Sequence, residues 1–377
     1  MTTAAIVRES RRDSAPPFRP SLLFQRALQF GVSYTDLTEV SECSEDWDRW
    51  SERLTLIAHK YAEAGDAAAR DHHLHSAAEH WRRASAYYHF AQLRLTESNR
   101  KKQLQLKTRE SFAKLAPLLQ PTAKRMEIPF AGAKLVGYLR EARPSAPLVV
   151  LIGGLDSAKE VEMLSFSDNF LERGLSAFFF DGPGQGEVSG KLPMNGSFES
   201  AVSAVLDFLE GMGAGCDGFG VFGVSFGGYL ACRAAASDPR LRACVCLGGF
   251  FDGRILSRLP VIAEQILRSA FGLRSSEELS PVEMQITLEP LAGLMTRPLL
   301  VVHGCDDHLV DEEQIRRLEQ WAAGPSRIWR VPRAEHVCTN RFAECLPVIA
   351  DWMADNVQHD QMCIGTWGCG GVDVCPI

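Results

Sequence analysis

The sequence has no run of about eighteen apolar residues, which is the length that a membrane-spanning helix requires. Its first 20 residues also lack the apolar segment of a secretory signal peptide. The pair Arg11-Arg12 is not followed by the apolar stretch of a twin-arginine export signal. We therefore expect a cytoplasmic protein that does not have a membrane as a partner.

Basic charge is also scarce, because 40 lysines and arginines face 47 acidic residues and leave a net charge of -7. Proteins that bind nucleic acid usually carry a basic stripe, whereas this chain has only short clusters such as Arg100–Lys102. Nucleic acid is therefore excluded as a main partner. Apolar residues make up 46% of the chain and charged residues 23%, so a large core is expected and global disorder is excluded.

A regular disulfide framework is missing too, although the chain has 11 cysteines. Eight of them stand singly or within apolar runs, which is typical of free thiols in a reduced cytosol. The other three, Cys363, Cys369 and Cys375, lie in a glycine-rich tail. Their spacing matches a zinc site poorly, although His359 could supply a fourth ligand. We predict a loosely packed tail, with no metal and no cofactor.

Changes in sequence pattern divide the chain into parts. Residues 1–20 are polar and proline-rich, which indicates a flexible lead-in. Residues 21–122 show apolar residues at three- and four-residue spacing, which predicts a helical domain. Residues 123–357 alternate between strand and helix patterns, with a mixed, cap-like insertion at 250–296. The tail occupies 358–377.

The strand patterns indicate the fold class. Two alternating segments after residue 123 predict a hairpin, and the later strands are continuous apolar runs of the kind found in parallel sheets. The runs lie at 146–154, 175–184, 218–225, 241–249 and 297–304, with a shorter one at 326–332. Helical patterns separate most of them. We therefore predict an α/β fold with a mostly parallel central sheet flanked by helices.

A nucleophile is indicated at Ser225, in the string GVSFGG at 223–228. The string follows an apolar strand and opens an apolar helix, which is the context that a nucleophile elbow requires. Glycines flank the serine because side chains there would collide with the neighbouring strand and helix. A tight turn with a capping serine is the alternative.

A serine nucleophile needs a base and an acidic group that orients the base. The string HGCDDHLV at 303–310 ends a buried strand and offers Asp306 and Asp307, of which we prefer Asp307 because it begins the turn. Asp306 could instead act as a local cap or salt-bridge partner. His336 lies beyond the last short strand, in a loop that can reach the other strand ends.

Two backbone N–H groups must stabilise the oxyanion of such a reaction. One is expected from Phe226, directly after the serine, and the other from Leu155, with Gly154 as the alternative. Asp156, Ser157 and Lys159 could orient this loop or contact the substrate. Capping of the next helix is an equally good interpretation for Asp156 and Ser157.

These motifs resemble the α/β-hydrolase superfamily. The strings GGLDSAKE (153–160), FDGPGQGE (180–187) and SAAEHWRRASAYYHFAQ (76–92) further resemble the group that contains 2,6-dihydroxypseudooxynicotine hydrolase and the fungal heptaketide-shortening hydrolases. The resemblance implies a helical domain that covers the active site, a triad of Ser225, Asp307 and His336 without a cofactor, and often a homodimer. Members of that group cleave carbon–carbon bonds in β-diketone-like substrates.

The resemblance also implies an extra acidic residue beyond the nucleophile, for which the sequence offers Asp252 and Glu264, and we expect Asp252 to contact the substrate. Phe250 and its apolar neighbours in the insertion are expected to contact the substrate, with Tyr88 facing the site from the helical domain. Most of these side chains fit an ordinary core better, because aromatic stripes at helical spacing usually pack internally. The expected substrate is a small acyl or ketone compound of apolar or aromatic character.

The sequence therefore predicts a serine hydrolase, with carbon–carbon hydrolysis of a β-diketone or polyketide-like compound as the first hypothesis. A carboxylesterase, a thioesterase or an acyl-transfer or cyclase enzyme on the same scaffold is the second. A non-catalytic binding protein with an α/β-hydrolase fold is the third.

Overall fold

The computed structural model describes residues 21–41, 46–95, 98–259 and 261–358. The lead-in predicted for residues 1–20 lies outside these ranges. So does the tail beyond residue 358, which contains the three closely spaced cysteines.

Twelve α-helices and eight β-strands make up the described part of the chain. The helices are α1 (Leu22–Gln29), α2 (Tyr34–Ser41), α3 (Trp47–Arg70), α4 (Leu74–Gln92), α5 (Asn99–Leu115), α6 (Leu164–Leu171), α7 (Phe198–Gly211), α8 (Phe226–Ser237), α9 (Val261–Phe271), α10 (Leu279–Gln285), α11 (Glu312–Trp321) and α12 (Phe342–Gln358). The strands are β1 (Lys124–Phe130), β2 (Ala133–Arg140), β3 (Leu148–Ile152), β4 (Ser176–Asp181), β5 (Phe219–Val224), β6 (Leu241–Leu247), β7 (Leu299–Gly304) and β8 (Ser326–Val331). None of these helices combines the length and the apolar character needed to cross a bilayer.

The eight strands form one sheet in the order β1-β2-β4-β3-β5-β6-β7-β8. Strand β2 pairs antiparallel with β1 on one side and with β4 on the other, and all the remaining pairs are parallel. The prediction of a mostly parallel sheet with flanking helices is confirmed. Because β5 lies near the middle of the sheet, the ends of neighbouring strands flank the turn that follows it on both sides.

The central strands are buried on both faces, as their apolar runs predict. Alternate residues of each strand therefore join two different cores. One core packs the sheet against α6, α12 and the helices that precede β1. The other packs it against α7, α8 and α11.

The helices α1 to α5 form the amino-terminal part of the chain, and no strand occurs among the described residues before β1. Their longest members, α3 and α4, pack side by side, and the Trp50 indole donates to the Phe90 carbonyl at 3.3 Å. The segment 250–296 is more regular than its mixed sequence indicates, since it contains α9 and α10.

The first turn of α8 lies very close to the ends of β3 and β5. A methyl group on Gly227 would come within 2.2 Å of the Ile152 carbonyl oxygen and 2.5 Å of that of Gly153. A methyl group on Gly223 would come within 2.0 Å of the Gly227 carbonyl oxygen. Both glycines are therefore required for packing, because the atoms in the way belong to the backbone and cannot rotate aside.

We predict that Gly227→Ala lowers the free energy of unfolding by at least about 2 kcal/mol, because the new methyl group must push α8 away from β3. Urea-induced unfolding measures this change. Gly211→Ala is the matched control, since Gly211 ends α7 and no atom lies within 4 Å of a methyl group there. The control should be neutral or more stable by up to about 1 kcal/mol. Equal stability of Gly227→Ala and the wild type would contradict the packing argument.

Candidate active site

Ser225 lies in a strained turn between β5 and α8. Its backbone has φ 56° and ψ -122°, which is unfavourable for a residue with a Cβ atom. Two backbone hydrogen bonds hold the turn: the Ser225 N–H donates to the Leu247 carbonyl at 2.8 Å, and the Gly228 N–H donates to the Ser225 carbonyl at 2.8 Å. The strain therefore persists because the surrounding strands impose it, and the side chain projects from the sheet edge into a cavity.

Ser225, His336 and Asp307 form a chain of hydrogen bonds. The Ser225 Oγ lies 2.8 Å from the His336 Nε2, and the His336 Nδ1 lies 2.8 Å from the Asp307 Oδ2. The other carboxylate oxygen of Asp307 accepts from the N–H groups of Leu309 at 2.8 Å and Val310 at 3.0 Å. The Asp307 side chain is fully buried, so these partners hold it and the imidazole in one orientation.

Electrostatics keep Asp307 ionised. Burial by itself disfavours its charged form, but the neighbouring His336, their hydrogen bond and the two backbone N–H donors outweigh burial and lower the pKa of Asp307. A carboxylate in this position accepts the Nδ1–H of the imidazole. That tautomer leaves the Nε2 lone pair free to accept the serine proton.

The structure distinguishes between Asp306 and Asp307, which the sequence left as alternatives for the acidic position. Asp306 has an exposed side chain, and its backbone N–H donates to the Ala334 carbonyl at 2.8 Å. His303 is buried within β7, where burial lowers its pKa. It is therefore Asp307 and His336 that lie in line with Ser225.

Two backbone N–H groups beside Ser225 have no acceptor among the described residues, those of Leu155 and Phe226. Both residues line the same cavity as Ser225. The N–H of Gly154, the alternative donor, is already bonded to the Ser157 Oγ at 3.1 Å. The geometry therefore favours Leu155 and Phe226 as the pair of donors for an oxyanion.

The cavity has a volume of about 420 Å³, which is within the range of sites for small molecules. Its walls are mostly apolar. They come from α1, from α6, from the segment that follows β6, and from α9 and the loop of His336. The apolar lining residues include Leu22, Leu23, Phe30, Phe166, Phe226, Phe250, Ile255, Leu256, Leu259, Ile266 and Phe342.

Of the residues expected to contact the substrate, Asp156 and Phe250 line this cavity, whereas Lys159, Asp252 and Tyr88 do not. Tyr88 lies elsewhere because α4 turns its ring into the core, where it contacts the ring of His59 and lies beneath the Lys107 ammonium. The expectation for Tyr88 is therefore corrected to a core position.

Lys159 is also placed away from the cavity. Its Nζ is buried among three carboxylates, at 2.6 Å from Glu160, 2.6 Å from Asp181 and 2.9 Å from Glu187. These oxygens lie close enough together to hold a metal ion, but the ammonium of Lys159 already balances part of their charge. Moving the ammonium away would leave these buried carboxylates unpaired, which is costly. Lys159 therefore has a structural role, in which it joins the loop after β3 to the turn after β4.

The two candidates for an extra acidic residue lie elsewhere too. Asp252 is held by the Gln314 amide at 2.9 Å and by Arg254 and Arg317, and it does not line the cavity. Glu264 accepts from the Ser276 hydroxyl at 2.7 Å and is likewise absent from the lining. The expectation that Asp252 contacts the substrate is therefore corrected, because its carboxylate is saturated by partners from α11.

A buried network beside the cavity was not anticipated from the sequence. Glu162 accepts from the Ala158 N–H at 2.6 Å and from the Arg26 Nε at 2.9 Å, and lies 3.2 Å from the His89 Nε2. Arg26 also donates to Asp156 at 2.9 Å. Arg26 thus connects α1 to the loop that carries Leu155. No local pattern reveals this, because the partners are more than 70 residues apart in the chain.

Helix α1 also reaches the other side of the site. The Gln25 amide donates to the Glu335 carboxylate at 3.2 Å, directly before His336 in the chain. Consecutive residues of α1 therefore contact the loop of the predicted oxyanion donor and the loop of the predicted base. Helix α1 therefore lines the cavity and also contacts two of the loops that form the site.

The mostly parallel sheet, the elbow after β5 and the loops at the neighbouring strand ends define an α/β-hydrolase. A family model described as "Esterase FrsA-like" matches residues 49–358. The chain belongs to this FrsA-like esterase family of enzymes, so the predicted resemblance to α/β-hydrolases is confirmed.

Similarity to individual proteins agrees with the family. The chain is 29% identical to a 2,6-dihydropseudooxynicotine hydrolase of Paenarthrobacter nicotinovorans, over 88% of this chain and 90% of that one. It is 33% identical to a 20-hydroxy-prefusarin hydrolase of Gibberella moniliformis, over 55% of this chain and 51% of that one. The crystal structure of a 2,6-dihydroxy-pseudo-oxynicotine hydrolase superposes with a TM-score of 0.82 at 28% identity, and covers 89% of this chain and 95% of that chain.

The network around Glu162 predicts how stability depends on pH. Burial favours the neutral acid, but Arg26, His89 and the Ala158 N–H outweigh it and lower the pKa of Glu162 to about 2 from an ordinary value of 4.5. Its contribution to stability is therefore complete above about pH 4.5 and is lost as the pH falls through about 2. We predict that Glu162→Gln lowers the free energy of unfolding at pH 7 by up to about 3 kcal/mol.

Urea-induced unfolding at several pH values between 3 and 7 measures this effect. The loss caused by Glu162→Gln should shrink as the pH falls. Glu172→Gln is the matched control, because the Glu172 side chain is 73% exposed, and it should follow the wild type throughout. A loss that is the same at every pH would show that the charge of Glu162 is not what stabilises the loop.

Proposed function

We propose that the protein is a serine hydrolase that cleaves a carbon–carbon bond of a β-diketone or polyketide-like substrate through an acyl-serine. The observation that carries the proposal is the chain of two 2.8 Å hydrogen bonds from Ser225 through His336 to Asp307, at a cavity lined by two free N–H groups. Ser225 is the nucleophile, His336 the base, and Asp307 the residue that orients the base.

The first half of the reaction forms the acyl-serine. His336 accepts the proton of the Ser225 hydroxyl at Nε2 while the Oγ attacks a carbonyl carbon of the substrate. The negative charge on the carbonyl oxygen is stabilised by the N–H groups of Leu155 and Phe226. Asp307 stabilises the imidazolium that results, without taking its proton.

Collapse of the tetrahedral intermediate then breaks the bond between the attacked carbon and the central carbon of the diketone. The electron pair leaves as the enolate of the second carbonyl, and the proton on His336 converts this leaving group into a ketone. Water attacks the acyl-serine with His336 as the base and releases a carboxylic acid. One water is consumed, and one ketone and one acid are formed.

Protonation of the leaving group is assigned to His336 because Glu162, a buried carboxyl group beside the site, is unsuited to it. Glu162 lines the cavity but has a pKa of about 2, so it carries no proton near neutral pH. The mostly apolar walls favour an apolar or aromatic acyl or ketone substrate. The apolar walls also exclude water. Water would otherwise compete with the negatively charged substrate oxygen for the N–H donors of Leu155 and Phe226.

A carboxylesterase is the second candidate, and the observation that favours it is the esterase description of the matching family model. Ester hydrolysis would use Ser225, His336 and the same N–H donors, with an alkoxide as the leaving group. Acyl transfer or cyclisation would differ only in the nucleophile that meets the acyl-serine.

Substitution of neighbouring aspartates tests the orienting role. We predict that Asp307→Asn lowers kcat by about 10⁴-fold, because an amide can hold the imidazole in the wrong tautomer. Asp306→Asn is the matched control and should lower kcat by less than about tenfold, since the Asp306 side chain is exposed and bonds neither Ser225 nor His336. Equal losses in the two variants would contradict the assignment of Asp307.

Product analysis tests the reaction itself. Wild type and Ser225→Ala are compared on 1,3-diketones, aryl esters and acyl thioesters, with the products identified by mass spectrometry. We expect diketone cleavage to a ketone and an acid, lost by about 10⁴-fold or more in Ser225→Ala. Turnover of esters or thioesters alone would support the second candidate. Activity that survives in Ser225→Ala, or failure of a fluorophosphonate to label Ser225, would contradict the serine mechanism.

A further inference from the structure

One cation at the cavity has no anionic partner of its own. Arg94 follows the end of α4 and lines the same cavity as Ser225 and His336. Its Nε is buried and has no hydrogen-bond acceptor, and no ion pair or side-chain hydrogen bond joins its guanidinium to another described residue. The Arg94 guanidinium lies over the ring of Trp47, with its central carbon 5.7 Å from the ring centre. This contact does not use the N–H donors of the guanidinium.

The carboxylates around Arg94 are already bonded to other groups. Asp156 acts on Arg94 electrostatically but makes its ion pair with Arg26, at 2.9 Å. Glu162 is bonded to Arg26 and His89. Burial lowers the pKa of Arg94 in spite of Asp156. A partly desolvated guanidinium with unused donors is costly, and an anion supplied from outside would offset that cost.

We propose that Arg94 binds an anionic pair of oxygen atoms on the substrate and so determines which substrates the cavity accepts. The proposal deepens the function proposed above and rests on it for the reaction at Ser225. A guanidinium presents parallel N–H donors that match a planar pair of oxygens, either a carboxylate or the enolate of a 1,3-dicarbonyl unit other than the one that Ser225 attacks. The apolar walls then hold the remainder of the molecule.

The location of Arg94 agrees with a role in selecting the substrate. Among the described side chains of the lining, the other arginine is Arg26, which is occupied by Asp156 and Glu162. Within that set, Arg94 is therefore the arginine whose donors are free. It belongs to the helical part of the chain, whereas Ser225 belongs to the sheet, so the anion and the reacting carbonyl would bind to different parts of the protein.

Binding to the Ser225→Ala protein tests the proposal without depending on catalysis. Calorimetry compares two matched pairs of probes: phenylacetate with phenylacetamide, and 1-phenyl-1,3-butanedione with butyrophenone. We expect the protein that retains Arg94 to prefer the anionic or enolisable member of at least one pair. Arg94→Gln should weaken binding of that member by about ten- to a hundredfold and change binding of the neutral member by less than about threefold.

Two further variants keep the result interpretable. Arg94→Lys should restore part of the affinity, because it retains the charge but not the paired donors. Arg143→Gln is the matched control, since Arg143 is exposed and lies outside the cavity, and it should bind like the parent. A response of the carboxylate pair alone identifies a substrate carboxylate, and a response of the diketone pair alone identifies an enolate.

The proposal would be overturned if the protein that retains Arg94 preferred neither anionic member. It would also be overturned if Arg94→Gln weakened the binding of charged and neutral probes equally. Failure of the proposed function is seen separately, as failure of a fluorophosphonate to label Ser225 in the wild type. Labelling of Ser225 in Arg94→Gln at the wild-type rate would show that this variant keeps an intact site.

Discussion

The close approach of α8 to the ends of β3 and β5 is the constraint on which the site depends. The backbone carbonyls of Ile152 and Gly153 leave no space for a side chain at Gly227, and the backbone at Gly227 leaves none at Gly223. This packing holds Ser225 in its strained conformation and sets it beside the loop of Leu155. The strain is maintained by the surrounding strands, so the two backbone donors and the serine hydroxyl keep their relative positions.

The amino-terminal part of the chain contributes to the site through α1 and through Leu93 and Arg94, which line the cavity. Arg26 holds Asp156 and Glu162 on one side, and Gln25 holds Glu335 on the other. Buried ion pairs of this kind contribute modestly to net stability, because desolvation opposes them, but removal of one partner is costly. Their effect here is to add contacts from α1 to the loop that follows β3 and to the loop of His336.

The arrangement of charge in the cavity follows from the same network. Arg26 pairs with both Asp156 and Glu162, so its single positive charge offsets part of the negative charge beside the loop of Leu155. Asp307 remains ionised behind His336. An apolar cavity with one oriented imidazole and free N–H donors suits a carbonyl substrate. Membership of the FrsA-like esterase family agrees with hydrolysis as the reaction class.

The sequence by itself determined the α/β sheet, because continuous apolar runs and intervening amphipathic helices leave few other ways to bury their surface. It also singled out Ser225, Asp307 and His336, since each follows a strand of recognisable pattern. Only the tertiary structure decided that Asp307 and not Asp306 faces His336, and that Tyr88, Lys159 and Asp252 lie away from the cavity. It likewise revealed the pairing of Arg26 with Glu162 and placed Arg94 at the cavity, because both depend on how distant segments pack together. Local patterns report the period of burial and the chemistry of turns, but they carry no information on which buried charges meet across the fold.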